Sequence, residues 1–450
     1  MTIKIIVGFI AVITFVLVAV FQNKKIWFTT GAALLVLVLS TVMPDTIFHL
    51  PEDVLALDGN VHSRSYAWVH AITEVINWNA VLLCLGSMMF SSVLAYSRIA
   101  VHVGSSLARR SSNLCGAVAA ILAVTSIVAA FIGNVSAVII MVPVAVSFCR
   151  GSGIKCGSLV AAVAMMSNVE VAATLAASPE SAMFAGYSGF RFNDFFIFDG
   201  RVSFFVICQV AMFAGCTFFY FSFIKNRKNK IQIQVEKLVS WAPSVLFGIM
   251  ILGLSIVSSC LKRNEYSSGI FVFIMGIISI AWFKFSQKKT AQDIINVLLK
   301  TEWKTVIFLA GTYILAATVR ECGIMSDMVA AVAEFSGDEK VVVYIILFAL
   351  SVIISAFVDN VIYVSVILPF ASIYALKIGA EPELFTFALL LGSCIGSSVT
   401  PLGSSANRMA MDMLKKENET FTFAEWVKTG IPFALVTSCL SGFFLWNMWK

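Results

Sequence analysis

Charged residues are scarce in this chain of 450 residues, since aspartate, glutamate, lysine and arginine together make up only 12% of it. A soluble protein of this length carries about twice that fraction, so a soluble globular domain is excluded. Long apolar runs recur instead from end to end, for example at 5–20, 202–223 and 342–357. The sequence therefore predicts an integral membrane protein whose surroundings are the lipid bilayer.

The chain also lacks the residue clusters that mark metal sites and most enzymes. Its ten cysteines are scattered without a CxxC pair, and its four histidines have no metal-ligand spacing. No nucleophile and base form a recognisable catalytic motif, and no basic tail or stripe suggests binding to nucleic acid. We therefore expect no catalytic residues, no resident cofactor and no nucleic-acid partner.

Two stretches of the sequence repeat each other. Residues 129–143 (AAFIGNVSAVIIMVP) align without a gap with 355–369 (SAFVDNVIYVSVILP), and the same offset places Thr174 on Thr400. Chance similarity between apolar segments would not match Asn, Pro and Thr in order. The predicted units are N-terminal helices with an external loop at 1–59, a first repeat at 60–225, a helix pair at 226–284 and a second repeat at 285–450.

Loop charges give the two repeats opposite orientations, because lysine and arginine favour the cytoplasmic side. The loop after the first helix carries Lys24 and Lys25, whereas the acidic stretch 45–78 is expected outside. The first repeat then begins outside and the second begins inside, after the basic stretch 284–304. The prediction is a multi-pass protein of the cell inner (plasma) membrane with both termini outside.

Polar residues interrupt equivalent apolar segments in each repeat. Gly133 and Asn134 interrupt one segment, and Asp359 and Asn360 interrupt its counterpart, without a soluble loop at either place. Such backbone is tolerated at membrane depth only where it lines a cavity or is covered by protein, as at the tip of a re-entrant hairpin. The predicted fold is therefore an all-α polytopic membrane protein of two inverted repeats, each with a re-entrant hairpin and a broken transmembrane helix, with about 10 crossings plus the two hairpins.

The segment after each hairpin is interrupted by glycine, proline and small hydroxyl residues. Half-helix N-termini offer N–H groups to an anion, while free carbonyls and hydroxyls suit Na⁺. A competing interpretation is that small residues only let helices pack closely, which explains the symmetric clustering less well. The candidate substrate- and ion-binding residues are Asn134, Ser136, Ser167, Asn168, Glu170, Thr174, Asp359, Asn360, Ser397, Ser398, Thr400, Ser404 and Asn407, with Arg408 as an anion ligand or ion-pair partner.

Two carboxylates lie inside apolar segments. Asp359 and Glu170 each stand opposite a glycine of the other repeat, and a charge at the bilayer centre costs at least about 2.5–3.5 kcal/mol. They are candidates for coupling to Na⁺ or H⁺, or members of structural ion pairs. Arg408 can face an anionic substrate or pair with either carboxylate, but a local pair with Asp412 four residues later is ranked first.

These features resemble the ion transporter superfamily that includes arsenite/antimonite permeases, NhaD-type sodium/proton antiporters, citrate and divalent-anion transporters and the melanosomal pink-eyed dilution protein. The most specific part is TPLGSSAN at 400–407, and the likeness covers most of the chain after residue 70. It implies a homodimer in which a mobile transport domain binds substrate and coupling ions at the hairpin tips and breaks. The chain departs from many relatives at Gly133, where they have Asp, and at Val169 and Glu170, where they have Gly-Gly.

The sequence thus predicts a secondary active transporter that moves a small anion, a carboxylate or an oxyanion, coupled to Na⁺ or H⁺ by an elevator-type movement. A sodium/proton antiporter is the alternative, and a membrane-embedded enzyme is the least favoured class. The expected partners are the small inorganic or organic ion, the bilayer and a second copy of the chain.

Overall fold

Helices account for nearly all of the regular structure, because a backbone in lipid must satisfy its N–H and C=O groups internally. The computed structural model describes residues 2–21, 24–43, 46–48, 60–229, 231, 233–260, 266–300, 303–336 and 339–450. Within these ranges there are twenty α-helices, nine of them long and apolar enough to cross a membrane. The predicted all-α polytopic fold is confirmed. The acidic residues at 45, 52, 53 and 58, on which part of the predicted orientation rests, lie outside the described residues.

The helices form two series of ten in the same order. The first series is α1 Thr2–Val20, α2 Lys25–Val42, α3 Asn60–His70, α4 Trp78–Ser97, α5 Ile99–Arg110, α6 Leu114–Ile132, α7 Asn134–Ser152, α8 Cys156–Glu170, α9 Pro179–Ser188 and α10 Phe204–Ser222. The second is α11 Ala242–Cys260, α12 Ser267–Ser286, α13 Ala291–Lys300, α14 Trp303–Glu321, α15 Ile324–Ser336, α16 Lys340–Ser355, α17 Asn360–Lys377, α18 Pro382–Gly396, α19 Ser405–Lys416 and α20 Phe423–Trp449. A two-stranded antiparallel hairpin, β1 Ile197–Phe198 and β2 Arg201–Val202, precedes α10 with Ile197 opposite Val202.

The second helix of each series packs against the fourth helix of the other series. Helix α12 packs against α4 of the first series, and α2 packs against α14 of the second. The α4–α12 crossing is close, because a Cβ added at Gly86 would lie 2.5 Å from the backbone of Val272, and one at Gly276 would lie 2.8 Å from the Gly86 carbonyl oxygen. Glycine at both positions lets the two backbones touch, as small residues do between membrane helices. We call α2, α4, α12 and α14 the scaffold helices.

Two helical hairpins turn at the predicted residues. Helix α6 ends at Ile132 and α7 begins at Asn134, so one residue makes the turn, and Gly133 adopts φ +85° and ψ 161° there. Only glycine adopts this conformation without strain. In the second series, 356–359 separate α16 from α17. We call Gly133 with Asn134 tip 1 and Asp359 with Asn360 tip 2.

The helix after each hairpin is broken. Break 1 (171–178) separates α8 from α9, and break 2 (397–404) separates α18 from α19. Each second half-helix begins with a serine cap, since Ser178 Oγ accepts from the Ser181 N–H and Ser404 Oγ accepts from the Ala406 N–H, both at 3.2 Å. Serine at the cap supplies an oxygen to N–H groups that have no helical partner, so the sequence restarts a helix at each place.

Candidate functional site

A chain of side-chain amides joins tip 1 to break 2 and to the last turn of α8, just before break 1. Asn134 Nδ2 donates to Asn168 Oδ1 at 2.9 Å and to Ser404 Oγ at 3.1 Å. Asn168 Nδ2 donates in turn to Asn407 Oδ1 at 2.8 Å, and Asn407 Nδ2 donates to two backbone carbonyls of break 2 at 2.7 and 2.8 Å. Four predicted site residues therefore meet across 270 residues of sequence, and their mutual bonds hold the two repeats in register.

Both threonines of the breaks make the same contact. The Thr174 hydroxyl donates to the Ala130 carbonyl at the end of α6, and the Thr400 hydroxyl donates to the Ala356 carbonyl beside tip 2. The two bonds span the same separation of 44 residues and are buried. Each threonine thus ties a break to the hairpin of its own repeat, which explains why the repeat preserves it.

The predicted serines play different parts. Ser136 Oγ donates to Ser91 Oγ at 3.1 Å, at the wall of a cavity. Ser167 and Ser397 donate to carbonyls within their own helical segments, and Ser398 donates to the Met165 carbonyl. These last three are buried hydroxyls satisfied by backbone, so the structure gives Ser136 the more accessible position.

A cavity of about 860 Å³ lies between the two tips and the scaffold helices. The end of break 1 and Arg408 on α19 also line it, together with Lys25, Tyr96, Phe283 and Lys304. A second cavity of about 500 Å³ lies at the opposite ends of α4, α12 and α14. The start of α4 lines the second cavity and its end lines the first, while the reverse holds for α14. The site therefore stands between two openings.

Tip 2 forms a buried ion pair at the wall of the first cavity. Asp359 is 2% exposed, and its Oδ2 accepts from Lys25 Nζ at 2.7 Å. Its Oδ1 accepts from the Val361 N–H at the start of α17, where the helix dipole also favours a negative charge. Lys25 Nζ also lies 4.7 Å from the centre of the Phe308 ring, so its ammonium is held on two sides.

Arg408 belongs to the same cluster. Its Nη2 lies 4.0 Å from Asp359 Oδ2, whereas Asp412 pairs with Lys415 at 3.8 Å. The local pair of Arg408 with Asp412, ranked first on sequence, is therefore wrong. The direction of the side chain decides this, because α19 turns Arg408 toward the cavity and Asp412 toward its exposed side.

Glu170 lies apart from this cluster. It ends α8 and is fully buried, and its Oε2 accepts from Gln209 Nε2 on α10 at 2.8 Å. Its Oε1 has no hydrogen-bond partner among the described residues. Glu170 is not one of the residues that line either cavity, so the structure separates it from Asp359.

Three charged residues of the first cavity, Lys25, Glu180 and Lys304, are absent from the site residues predicted on sequence. Lys25 carries only a topology signal in the sequence, and its partner Asp359 lies 334 residues away. Glu180 stands in the first turn of α9, is 3% exposed and lines the cavity. The signal that could have identified Glu180 is its place two residues after the Ser178 cap, where a carboxylate follows a helix break.

Three buried polar atoms at this cavity have no hydrogen-bond partner among the residues that the structure describes. They are two donors, Asn360 Nδ2 and Arg408 Nη1, and one acceptor, Glu180 Oε2. Buried polar groups are nearly always paired, and an unpaired one costs about 1–3 kcal/mol. Such atoms at a cavity wall are therefore well placed to bind a ligand.

Comparison with known proteins gives the family. The model of the citrate transporter family, CitMHS, matches residues 55–392. The "46 kDa membrane protein" of Mycobacterium leprae is 23% identical over 379 residues, which cover 82% of this chain and 86% of that protein.

Two solved structures share the fold. The YdaH transporter of Alcanivorax borkumensis superposes with a TM-score of 0.59 at 15% identity, covering 93% of this chain and 96% of that chain. MtrF of Neisseria gonorrhoeae, described as illuminating a class of antimetabolite efflux pumps, gives 0.57 at 11% identity and covers 92% and 93%. The identities are low, so these likenesses concern the fold alone. Because the family model spans most of the sequence, the chain belongs to the citrate transporter family and is a membrane transporter rather than an enzyme.

Proposed function

We propose that the protein is a secondary active transporter that moves a small anion, a carboxylate or an oxyanion, coupled to Na⁺ or H⁺. The observation that carries this proposal is the pair of buried donors without partners, Asn360 Nδ2 and Arg408 Nη1, at the wall of a cavity of about 860 Å³. A carboxylate or oxyanion accepts hydrogen bonds from both, and arginine suits its planar geometry.

The charges of the cavity support an anionic ligand. Three cationic side chains, Lys25, Lys304 and Arg408, line it with two acidic ones, Asp359 and Glu180. With both acids ionised the lining carries one excess positive charge, which favours an anion, and an anion with several negative charges would need coupling cations to offset the rest. The family description makes citrate the first anion to test.

Alternating access is proposed from the two cavities and the inverted repeats. The first cavity opens beside Lys25 and Lys304, at the side predicted cytoplasmic, so we infer an inward-open state. Movement of the hairpins and broken helices past the scaffold helices would expose the tips to the second cavity, which is an elevator-type step. The repeat boundaries, the inner-membrane location with both termini outside, and the homodimer stay predictions.

The test is a solid-supported-membrane current recording on proteoliposomes, in which Na⁺, pH and a panel of anions that includes citrate are varied separately. Currents that require an anion and change with Na⁺ or pH are expected. Protein that moves no anion under any imposed cation gradient, while remaining monodisperse and folded, would overturn the proposal. Liposomes without protein are the control for leak.

A sodium/proton antiporter is the second candidate, favoured by the buried carboxylate Asp359 at tip 2. Glu170 is another membrane-embedded acid that could exchange a proton, although it lies off the cavity. This candidate predicts currents from Na⁺ jumps alone that reverse with the pH gradient and vanish in Asp359→Asn. Currents that persist in that variant exclude Asp359 as the exchanging group.

A further inference from the structure

Lys25 connects helix α2 to the candidate site. It begins α2, a scaffold helix that packs against α14, yet its ammonium reaches the carboxylate of tip 2 at 2.7 Å. The side chains of Lys25 and Asp359 are 17% and 3% exposed. In an ion pair this buried, removal of one partner leaves a charge without compensation.

The position of the Asp359 carboxylate matches that expected for a carboxylate of a ligand. Its Oδ2 lies 2.7 Å from Lys25 Nζ and 4.0 Å from Arg408 Nη2, the two cations that converge at this wall of the cavity. The second guanidinium nitrogen, Arg408 Nη1, and the amide of Asn360 beside Asp359 are without partners among the described residues. One side of this cationic pocket is thus filled by the Asp359 carboxylate, while the donors on the other side have no partner among the described residues.

We propose that Asp359 is an internal counter-ion that competes with the substrate for Lys25 and Arg408, so that a cation must neutralise Asp359 before the anion binds firmly. Na⁺ coordinated by Asp359, or a proton on it, removes the negative charge that occupies Lys25. The Lys25 ammonium then pairs with a carboxylate of the substrate, and Arg408 completes its contact. This inference rests on the proposed function and gives its coupling an order, the cation first and the anion second.

The remaining charged groups of the cavity define the alternatives. Besides Asp359, the charged residues that line the cavity are Lys25 on α2, Glu180 on α9, Lys304 on α14 and Arg408 on α19. Glu180 is the other carboxylate that could take the coupling cation, since its Oε2 has no partner among the described residues. Among the described residues Glu180 forms no salt bridge with Lys25, which pairs with Asp359. A cation bound to Glu180 therefore does not release Lys25 directly.

The experiment measures equilibrium binding of citrate to the purified full chain in detergent, by isothermal calorimetry, with Na⁺ present or absent and at two pH values. In the unaltered protein, Na⁺ or acid should tighten citrate binding by roughly 10- to 100-fold, the range expected for release of a charge-assisted bond. Asp359→Asn should bind citrate equally tightly in all conditions, at the level that the unaltered protein reaches with its cation.

A double variant isolates Lys25. Asp359→Asn with Lys25→Met removes both members of the pair and so avoids a buried unpaired charge. It should bind citrate roughly 10- to 100-fold more weakly than Asp359→Asn alone. Lys428→Met, an equal change at an exposed position of α20, is the matched control and should leave binding and its cation dependence unchanged.

The outcomes separate this inference from the proposed function. If the unaltered protein binds citrate with cation dependence, and that dependence survives in Asp359→Asn but disappears in Glu180→Gln, the coupling cation binds Glu180 and the inference is overturned while the transporter proposal stands. The inference is likewise overturned if folded Asp359→Asn binds no citrate. If neither citrate nor any other anion of the panel binds the unaltered protein or moves in liposomes, the proposed function fails, and this inference fails with it.

Discussion

The two hairpin tips occupy equivalent places in the two repeats but use their polar groups differently. Tip 1 is neutral, and its Asn134 amide donates to Asn168 and Ser404. Tip 2 is acidic, and its Asn360 amide nitrogen has no partner among the described residues. The threonine contacts beside the tips are the same in both repeats. Symmetry is therefore kept in the framework and broken in charge, so we expect tip 1 to support the site and tip 2 to contact the ligand.

The largest expected effect comes from breaking the turn of tip 1. In Gly133→Ala the new Cβ would lie 2.7 Å from the Ala177 carbonyl oxygen of break 1, at a φ of +85°. The backbone strain costs about 1–3 kcal/mol, and the clash pushes the tip away from the break. We expect transport in proteoliposomes to be lost and the melting temperature to fall.

Gly153→Ala is the matched control for that change. Gly153 also has a positive φ, +66°, but no atom of the described residues lies within 4 Å of its added Cβ. It should cost only the left-handed penalty of about 1–2 kcal/mol and keep transport. Equal loss of transport in both variants would show that strain alone, rather than the contact of tip 1 with break 1, is responsible.

The next effect compares the two asparagines directly. Asn134→Ala leaves Asn168 Oδ1 without its donor in a buried setting, so a stability loss of about 1–3 kcal/mol is expected. Asn360→Ala removes an amide nitrogen that has no partner among the described residues, and an Oδ1 that shares the Val361 N–H with Asp359 Oδ1. Stability should therefore fall less than in Asn134→Ala, while the affinity for the anion falls several-fold. Thermal unfolding and citrate binding, measured on both variants, test this contrast. A larger loss of stability in Asn360→Ala would contradict the division between supporting and ligand-facing tips.

A smaller effect is expected from the threonines. Thr174→Val and Thr400→Val each remove the buried hydroxyl bond to a hairpin carbonyl, at a cost of about 0.5–1.5 kcal/mol. Thr400 Oγ1 also accepts from the Leu402 N–H at 3.1 Å, so Thr400→Val should lose somewhat more stability than Thr174→Val in thermal unfolding. Threonine-to-serine changes keep the hydroxyl and should restore most of the stability. A larger loss in Thr174→Val would show that the repeats are less alike in energy than in geometry.

The sequence predicts the framework of this site well, for a physical reason. Polar residues inside long apolar runs must lie at or beside breaks and tips, and Asn134, Asn168, Thr174 and Asn407 do so. Repetition of these segments at a fixed offset is a second signal for the same positions. The structure adds how these groups are satisfied, which depends on contacts between segments far apart in the chain.

Side-chain direction could not be predicted in the same way. Segments buried on every side have no polar face, so periodicity cannot distinguish Glu170, which points to Gln209, from Glu180, which lines the cavity. Arg408 is misassigned to Asp412 because a local pair needs no knowledge of packing. In the sequence, Lys25 indicates only the orientation of α2 in the membrane. Its place at the site becomes visible only when α2 is packed against α14.

The smallest effect is expected from Glu170, the second membrane-embedded acid. In the unaltered protein the Gln209 amide nitrogen donates to Glu170 Oε2 at 2.8 Å. Glu170→Gln keeps the size of the side chain and can keep this hydrogen bond. Because the residue lines neither cavity, stability should change by about 1 kcal/mol or less, and transport with its cation dependence should be retained. Loss of the cation dependence in Glu170→Gln, with Asp359 intact and the protein folded, would instead place the coupling proton between α8 and α10 and favour exchange through a site remote from the tips.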